Sequence, residues 1–168
     1  MYYLNMFIIY SIFGYFFETL ISALTGSGFK SGIMVGPWTP IYGLGVIIIV
    51  LLSNYLFMNL HMPRLYETIV AFLIITIVLT VLECLGGKGI ELLFHKVYWD
   101  YSSHKFNIGK YISLSVSLTW GIGSIILIYI IHPILKNLIM KIPFVVTLIL
   151  SVLFVVDFIY TILNNTKI

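Results

Sequence analysis

Charge is what this sequence has least of: only 9% of its 168 residues are Asp, Glu, Lys or Arg. Soluble domains carry about a quarter, so a water-soluble core is excluded. Cysteine is nearly absent. Cys84 stands alone, which rules out an intrachain disulfide and a thiolate-rich metal site. No Gly-x4-Gly-Lys-Ser/Thr loop is present, so the chain cannot hydrolyse ATP by that route alone. The four histidines show no ligand spacing. His95 and His104, with Asp100 between them, read as solvated loop residues, and neither a metal nor a cofactor is expected. No Ser-His-Asp or Cys-His arrangement stands out, which leaves enzymatic activity without a candidate catalytic residue. The net charge of +3 is small and spread over loops, which argues against a nucleic-acid partner. A cleavable leader is not expected either. The N-terminus lacks a basic region, its apolar run is too long, and Ser22-Ala23-Leu24 is a poor cleavage site.

What is abundant is apolar sequence, 61% of the chain. It falls into five runs of about 20 residues, the length a helix needs to cross a bilayer core. The expected fold is an all-α polytopic transmembrane bundle forming a single integral membrane domain, with spans at 4–23, 41–60, 65–85, 111–131 and 143–163. Between the first two spans, Pro37 and Pro40 forbid a regular helix, so segment 33–40 is expected to re-enter the membrane edge under protein cover. Gly86, Gly87 and Gly89 are expected to interrupt the third span, leaving 90–94 as an amphipathic stretch. The longest loop is 95–110. His132-Pro133 is expected to stop the fourth span, with 134–140 a short interfacial helix, and Pro143 to open the fifth.

Five spans put the termini on opposite sides. Arg64, Lys136 and Lys141 share the N-terminal side, whereas Lys30, Lys88, Lys96, Lys105, Lys110 and Lys167 share the other. The richer side is cytoplasmic by the positive-inside rule, so the N-terminus is expected outside and the C-terminus inside.

Glu18, Glu83 and Asp157 lie well inside their spans, where a charge costs about 3 kcal/mol. Helices one, three and five run in the same direction, so rise per residue places Glu18 about 21 Å, Glu83 about 27 Å and Asp157 about 21 Å along their spans. All three fall in the inner half, and no Lys or Arg lies deep in any span. Each must be protonated, hydrogen-bonded, wet or bound to a cation. Helix packing accounts for Asp157 best. For Glu18 and Glu83 packing and a cation, proton or amine site weigh evenly. The candidate site comprises Glu18, Glu83, Trp38, Tyr42, Trp99, Asp100, Asn107 and Trp120, with the acids engaging a cationic small molecule or proton and the aromatics shaping the pocket.

Gly109, Ser113, Ser117 and Gly121 form a smooth stripe on helix four, suited to helix packing or to a homo-oligomer contact. Tyr111, Tyr129 and Trp99 suit an interfacial aromatic belt. Tyr42-Gly43-Leu44-Gly45 parallels Trp120-Gly121-Ile122-Gly123, each following a helix with a glutamate near its inner end. Helices one–two and three–four therefore read as tandem hairpins, with helix five an addition.

Several of these residues together resemble one family. Gly36-Pro37-Trp38-Thr39-Pro40-Ile41-Tyr42-Gly43 is similar to a Gly-Pro-x-x-Pro-Ile-Tyr-Gly segment. Gly14 with Glu18 matches the first helix, and Leu82-Glu83, Glu91 and Leu93-Phe94-His95 match the third. Tyr98-Trp99-Asp100-Tyr101-Ser102 with Phe106-Asn107 is similar to a Trp-Trp-Asp-Tyr-Ser…Phe-Asn loop, with Tyr98 departing from the first Trp. Ser117, Trp120-Gly121 and His132-Pro133 complete the pattern. It resembles the CmpB-like, type IV ABC-transporter family of bacterial membrane proteins, over roughly residues 8–135. The resemblance implies a permease or substrate-binding subunit in a bacterial plasma membrane, working as a homo-oligomer or with a partner permease or ATPase subunit. The competing classes are a membrane-embedded enzyme or lipid-binding protein, for which the Trp99 loop would meet a head group, and a structural or regulatory subunit without a ligand.

Overall fold

The computed structural model describes residues 1–26 and 31–165; Lys30 and Lys167, which enter the charge asymmetry, lie outside the described residues. In chain order the elements are α1 (Tyr2–Thr25), α2 (Pro40–Asn59), α3 (Arg64–Phe94), β1 (Asn107–Ile108), β2 (Ile112–Ser113), α4 (Leu114–Ile126), a π-helical turn (Leu127–Ile131), α5 (His132–Met140) and α6 (Phe144–Asn165). Among the described residues five helices are long and apolar enough to cross a membrane, α4 through α5 counting as one. The chain is an all-α, multi-pass membrane protein.

The helix ends follow local chemistry. Gly26, at φ 64°, closes α1 with a left-handed residue. Pro40 opens α2, where its missing N–H costs nothing. Two expectations about helix ends need correcting. Gly86, Gly87 and Gly89 do not interrupt the third span, since α3 runs unbroken for 31 residues. Glycine lowers helix propensity by only about 1 kcal/mol, and Gly87 lies under the Tyr111 ring, where a Cβ would stand 2.5 Å from it. His132-Pro133 does not stop the fourth span either. The helix widens into a π-turn, with the His132 N–H donating to the Leu127 carbonyl, and then continues as α5. Widening just ahead of a proline accommodates the N–H that Pro133 lacks.

The chain divides into two compact units, Met1–Ile47 with Asn137–Ile168, and Ile48–Lys136. In the first, the core gathers Ile8, Met34 and Trp38, with Phe7, Ile12, Ile33, Leu150 and Phe154 packed against it. Phe154 meets both Phe7 and Trp38 edge-on, at 5.2 and 5.5 Å between ring centroids. A buried amide ties α6 to α1 at the other end. Asn5 donates to the Ile139 carbonyl (3.1 Å) and accepts from the Thr147 hydroxyl (2.6 Å). Asn5→Leu removes both bonds and leaves the Thr147 hydroxyl and the Ile139 carbonyl only their 3.4 Å bonds to the Pro143 carbonyl and from the Ile142 N–H, a loss of about 1 kcal/mol for each bond removed. The variant is expected to melt measurably lower in detergent, by circular dichroism, than the wild type.

In the second unit, Ala71, Ile75, Leu79 and Glu83 recur every four residues and form the buried face of α3. From α4, Ser117, Gly121 and Ser124 are buried. A Cβ on Gly121 would collide with the Thr76 hydroxyl and the Phe72 ring. The small-residue stripe is thus used inside the chain at Gly121, and Gly109 and Ser113 lie in the β1–β2 hairpin rather than on the helix. Tyr129 bonds Thr68 at 2.7 Å and stacks on Phe57, and the Arg64 guanidinium lies over both rings, at 5.0 and 4.5 Å.

Candidate functional site

Each unit carries one of the two glutamates, and the two surroundings are built alike. In the first unit the Ser11 hydroxyl bonds the Phe7 carbonyl one turn back, at 2.6 Å. Gly43 of α2 lies against the same two residues so closely that a Cβ would strike the Phe7 carbonyl and the Ser11 Oγ. In the second unit the Thr76 hydroxyl bonds the Phe72 carbonyl, also at 2.6 Å. Gly121 of α4 lies against Phe72 and Thr76. An aromatic residue precedes each glycine, Tyr42 and Trp120. Seven residues beyond each hydroxyl, two turns along the same helix, stand Glu18 and Glu83. The order Phe-x3-Ser/Thr-x6-Glu, with an aromatic–Gly pair from the next helix docked on its first half, therefore occurs twice.

The glutamates are held by hydroxyls. The Ser31 hydroxyl donates to Glu18 Oε2 at 2.7 Å, and Tyr42 also hydrogen-bonds Glu18. Tyr42 can lie there because Gly14, one turn before Glu18, presents no Cβ to its ring. Ser31 is itself buried and shares a 3.1 Å hydrogen bond with the buried Thr39 hydroxyl. Trp38 does not join this constellation. Its ring is 5% exposed and belongs to the apolar core with Ile8 and Met34.

Glu83 is 5% exposed, and Tyr101 donates to its Oε1 at 2.7 Å. Tyr101 was not among the candidate residues, although its place two residues after Trp99 was visible. The hairpin fixes it: the Tyr101 N–H donates to the Lys110 carbonyl, and its ring lies 5.0 Å from His104. His104 is exposed, with one ring nitrogen 3.1 Å from the hydroxyl of buried Ser113.

Two of the remaining candidates, Asp100 and Asn107, serve the loop. Asp100 is exposed and accepts the Ser102 N–H at 2.8 Å. Its bonds from Ser102 hold the carboxyl below the usual range. Asn107 donates to the Gly109 carbonyl and closes the hairpin turn, where Gly109 takes φ 63°. Trp99 meets Tyr111 edge-on at 6.2 Å, and its indole N–H is buried with no partner among the described residues. Trp120 is half-buried on α4.

Glu91 stands outside the candidate set. It accepts from Lys110 Nζ at 2.8 Å and from the Tyr111 hydroxyl at 2.6 Å. Its bond to Lys110 raises the lysine above its ordinary value. Gly87 and Glu91 repeat the Gly14–Glu18 spacing, and again the glycine lies under the ring of the tyrosine that bonds the acid. Asp157 turns both oxygens to the loop backbone. It accepts the Val35 N–H at 3.2 Å and the Gly36 N–H at 2.7 Å. No group of three or more His, Cys, Asp or Glu placed to hold a metal occurs among the described residues.

Comparison with known proteins adds one match. The family model described as "Putative ABC-transporter type IV" matches residues 5–162, nearly the whole chain and including α6. No curated protein and no solved structure matches.

Proposed function

The chain belongs to the type IV ABC-transporter family, and we propose that it is the membrane-embedded, ligand-contacting subunit of a transporter, with Glu18 and Glu83 as matched carboxylates, each able to engage a cationic group within its own unit. The observation that carries this reading is the recurrence itself. Two glutamates at the same distance from the same packing motif, each bonded by a tyrosine hydroxyl, make an accidental placement of either one hard to sustain. The match in contacts supports two tandem hairpins, with α6 added. Hydroxyl donors satisfy a carboxyl without neutralising it. A carboxyl in apolar surroundings that keeps its ionised form gains most from an incoming ammonium or metal cation.

ATP hydrolysis would come from a separate subunit, since this chain carries no phosphate-binding loop of the usual kind. The subunit sits in a bacterial plasma membrane, N-terminus outside. Met62→Cys in a Cys84→Ser background should react with an impermeant maleimide on intact cells, and Ser103→Cys only after permeabilisation. The reverse pattern would overturn this orientation.

The ligand class is tested by thermal shift of the detergent-solubilised protein against sodium, potassium and a series of primary and quaternary amines. At least one amine or cation should raise the melting temperature, and the rise should diminish in Glu18→Gln, in Glu83→Gln or in both. Stabilisation that persists undiminished in both variants would remove the carboxylates from the site.

A further inference from the structure

We infer that Asp157 of α6 is a positioning residue that locks segment 31–39 and, through it, fixes the hydroxyl partner of Glu18. Segment 31–39 forms no helix or strand, so its amides need acceptors in apolar surroundings. Asp157 supplies them for two consecutive amides, one carboxylate oxygen each, Val35 to Oδ1 and Gly36 to Oδ2. Thr161, one turn along α6, bonds Oδ1 at 3.4 Å and orients the group. Gly36 makes the approach feasible. A Cβ there would stand 2.7 Å from Asp157 Oδ2 and 2.6 Å from the Trp38 ring nitrogen. Phe154 lies three residues before Asp157, on the same face of α6, and packs edge-on against Trp38. The helix therefore grips the segment at two points, one polar and one apolar.

From those points the segment is tied to α1 by an unbroken series of contacts. The Thr39 N–H donates to the Ser11 carbonyl at 3.0 Å. The Thr39 hydroxyl meets Ser31, and Ser31 donates to Glu18. Ser11 is the same residue that receives Gly43. A carboxylate is the side chain this place requires: asparagine would offer one oxygen and turn an NH2 toward the second amide. The inference rests on the reading of Glu18 as a ligand-facing group only for its functional consequence.

The experiment follows hydrogen exchange of the protein in lipid nanodiscs, with peptides covering 33–39. Asp157→Ala should speed exchange at Val35 and Gly36 at least about tenfold while α3 peptides keep wild-type rates, and isosteric Asp157→Asn should fall between. Gly36→Ala, which leaves the carboxylate in place but intrudes on it, should release the same amides, and adding Asp157→Ala to it should change little further. Infrared difference spectra supply the readout that simple destabilisation would not move. The Glu18 carboxyl band, identified as the one Glu18→Gln removes, should shift in Asp157→Ala and stay near its place in Val156→Ala, a substitution at an exposed position of α6. Unchanged exchange at 35–36 in the aspartate and glycine variants would overturn the lock. Faster exchange with an unmoved Glu18 band would overturn the positioning. Glu18→Gln should leave exchange at 35–36 as in the wild type, so a failed ligand test for Glu18 and a failed lock are told apart.

Discussion

Glu18→Gln and Glu83→Gln are each expected to abolish ligand binding at the substituted carboxylate while leaving the protein folded. Glutamine keeps the shape of the side chain and can still accept from Ser31 and Tyr42, or from Tyr101. What it cannot do is carry charge. Truncating one partner of a buried charged pair costs about 2–5 kcal/mol, which is about thirtyfold or more in affinity. The effect should be of similar size at the two positions, because the two surroundings are built on the same frame. Normal melting with lost binding separates a ligand role from a packing role. A packing role predicts the opposite, a lowered melting temperature with binding retained in the molecules that remain folded. Tyr101→Phe offers a graded companion. It removes the donor and keeps the ring, so it should weaken binding by less than Glu83→Gln.

The largest expected effect on stability is that of Gly121→Leu. The helix pair α3–α4 closes at this glycine, where even a single Cβ would strike the Thr76 hydroxyl and the Phe72 ring. Thr76 cannot easily turn aside, since its hydroxyl is bonded to the Phe72 carbonyl. Overpacking typically costs about 1–3 kcal/mol, and a leucine adds three carbons beyond the clashing one. A loss of about 5–10 °C in melting temperature follows on the usual scale for a chain of this size. Gly123→Leu is the control. It lies two residues on, on the same helix, and a Cβ there meets nothing within 4 Å. It should melt at or near the wild-type temperature. Equal losses at both positions would mean that the cost comes from the helix backbone and not from the α3–α4 contact. By the recurrence of the motif, Gly43→Leu should behave as Gly121→Leu does.

The spans were legible because a bilayer imposes one length and one polarity on every helix, and five runs met both conditions. Helix ends were less legible where a third element intervenes. The three glycines of 86–89 read as a break by propensity, but Tyr111, more than twenty residues later, covers Gly87 and makes a small residue there a packing requirement. The π-turn before Pro133 depends on backbone geometry that no side-chain pattern announces. The pairing of Tyr42-Gly43 with Trp120-Gly121 was visible. Its other half, Phe-x3-Ser/Thr-x6-Glu, was equally present in the sequence and was hidden by the surrounding aliphatic residues, which differ between the two copies. Trp38 read as a pocket aromatic because tryptophan beside prolines suggests a loop, whereas Phe154 draws it into the core. Asp100 and Asn107 were chosen for their chemistry, but short polar side chains in a turn bond their own backbone first. Asp157 suited packing from sequence, and its two amide partners give that packing a specific form.

Carboxyl modification by a hydrophobic carbodiimide, read peptide by peptide in a mass spectrometer, tests most directly whether the matched glutamates face a ligand. Glu91, partly exposed and paired with Lys110, serves as the internal reference. An amine or cation that stabilises the protein should slow modification of Glu18, of Glu83 or of both, leaving Glu91 unaffected. Modification of both glutamates at the same rate with and without that compound would contradict the account.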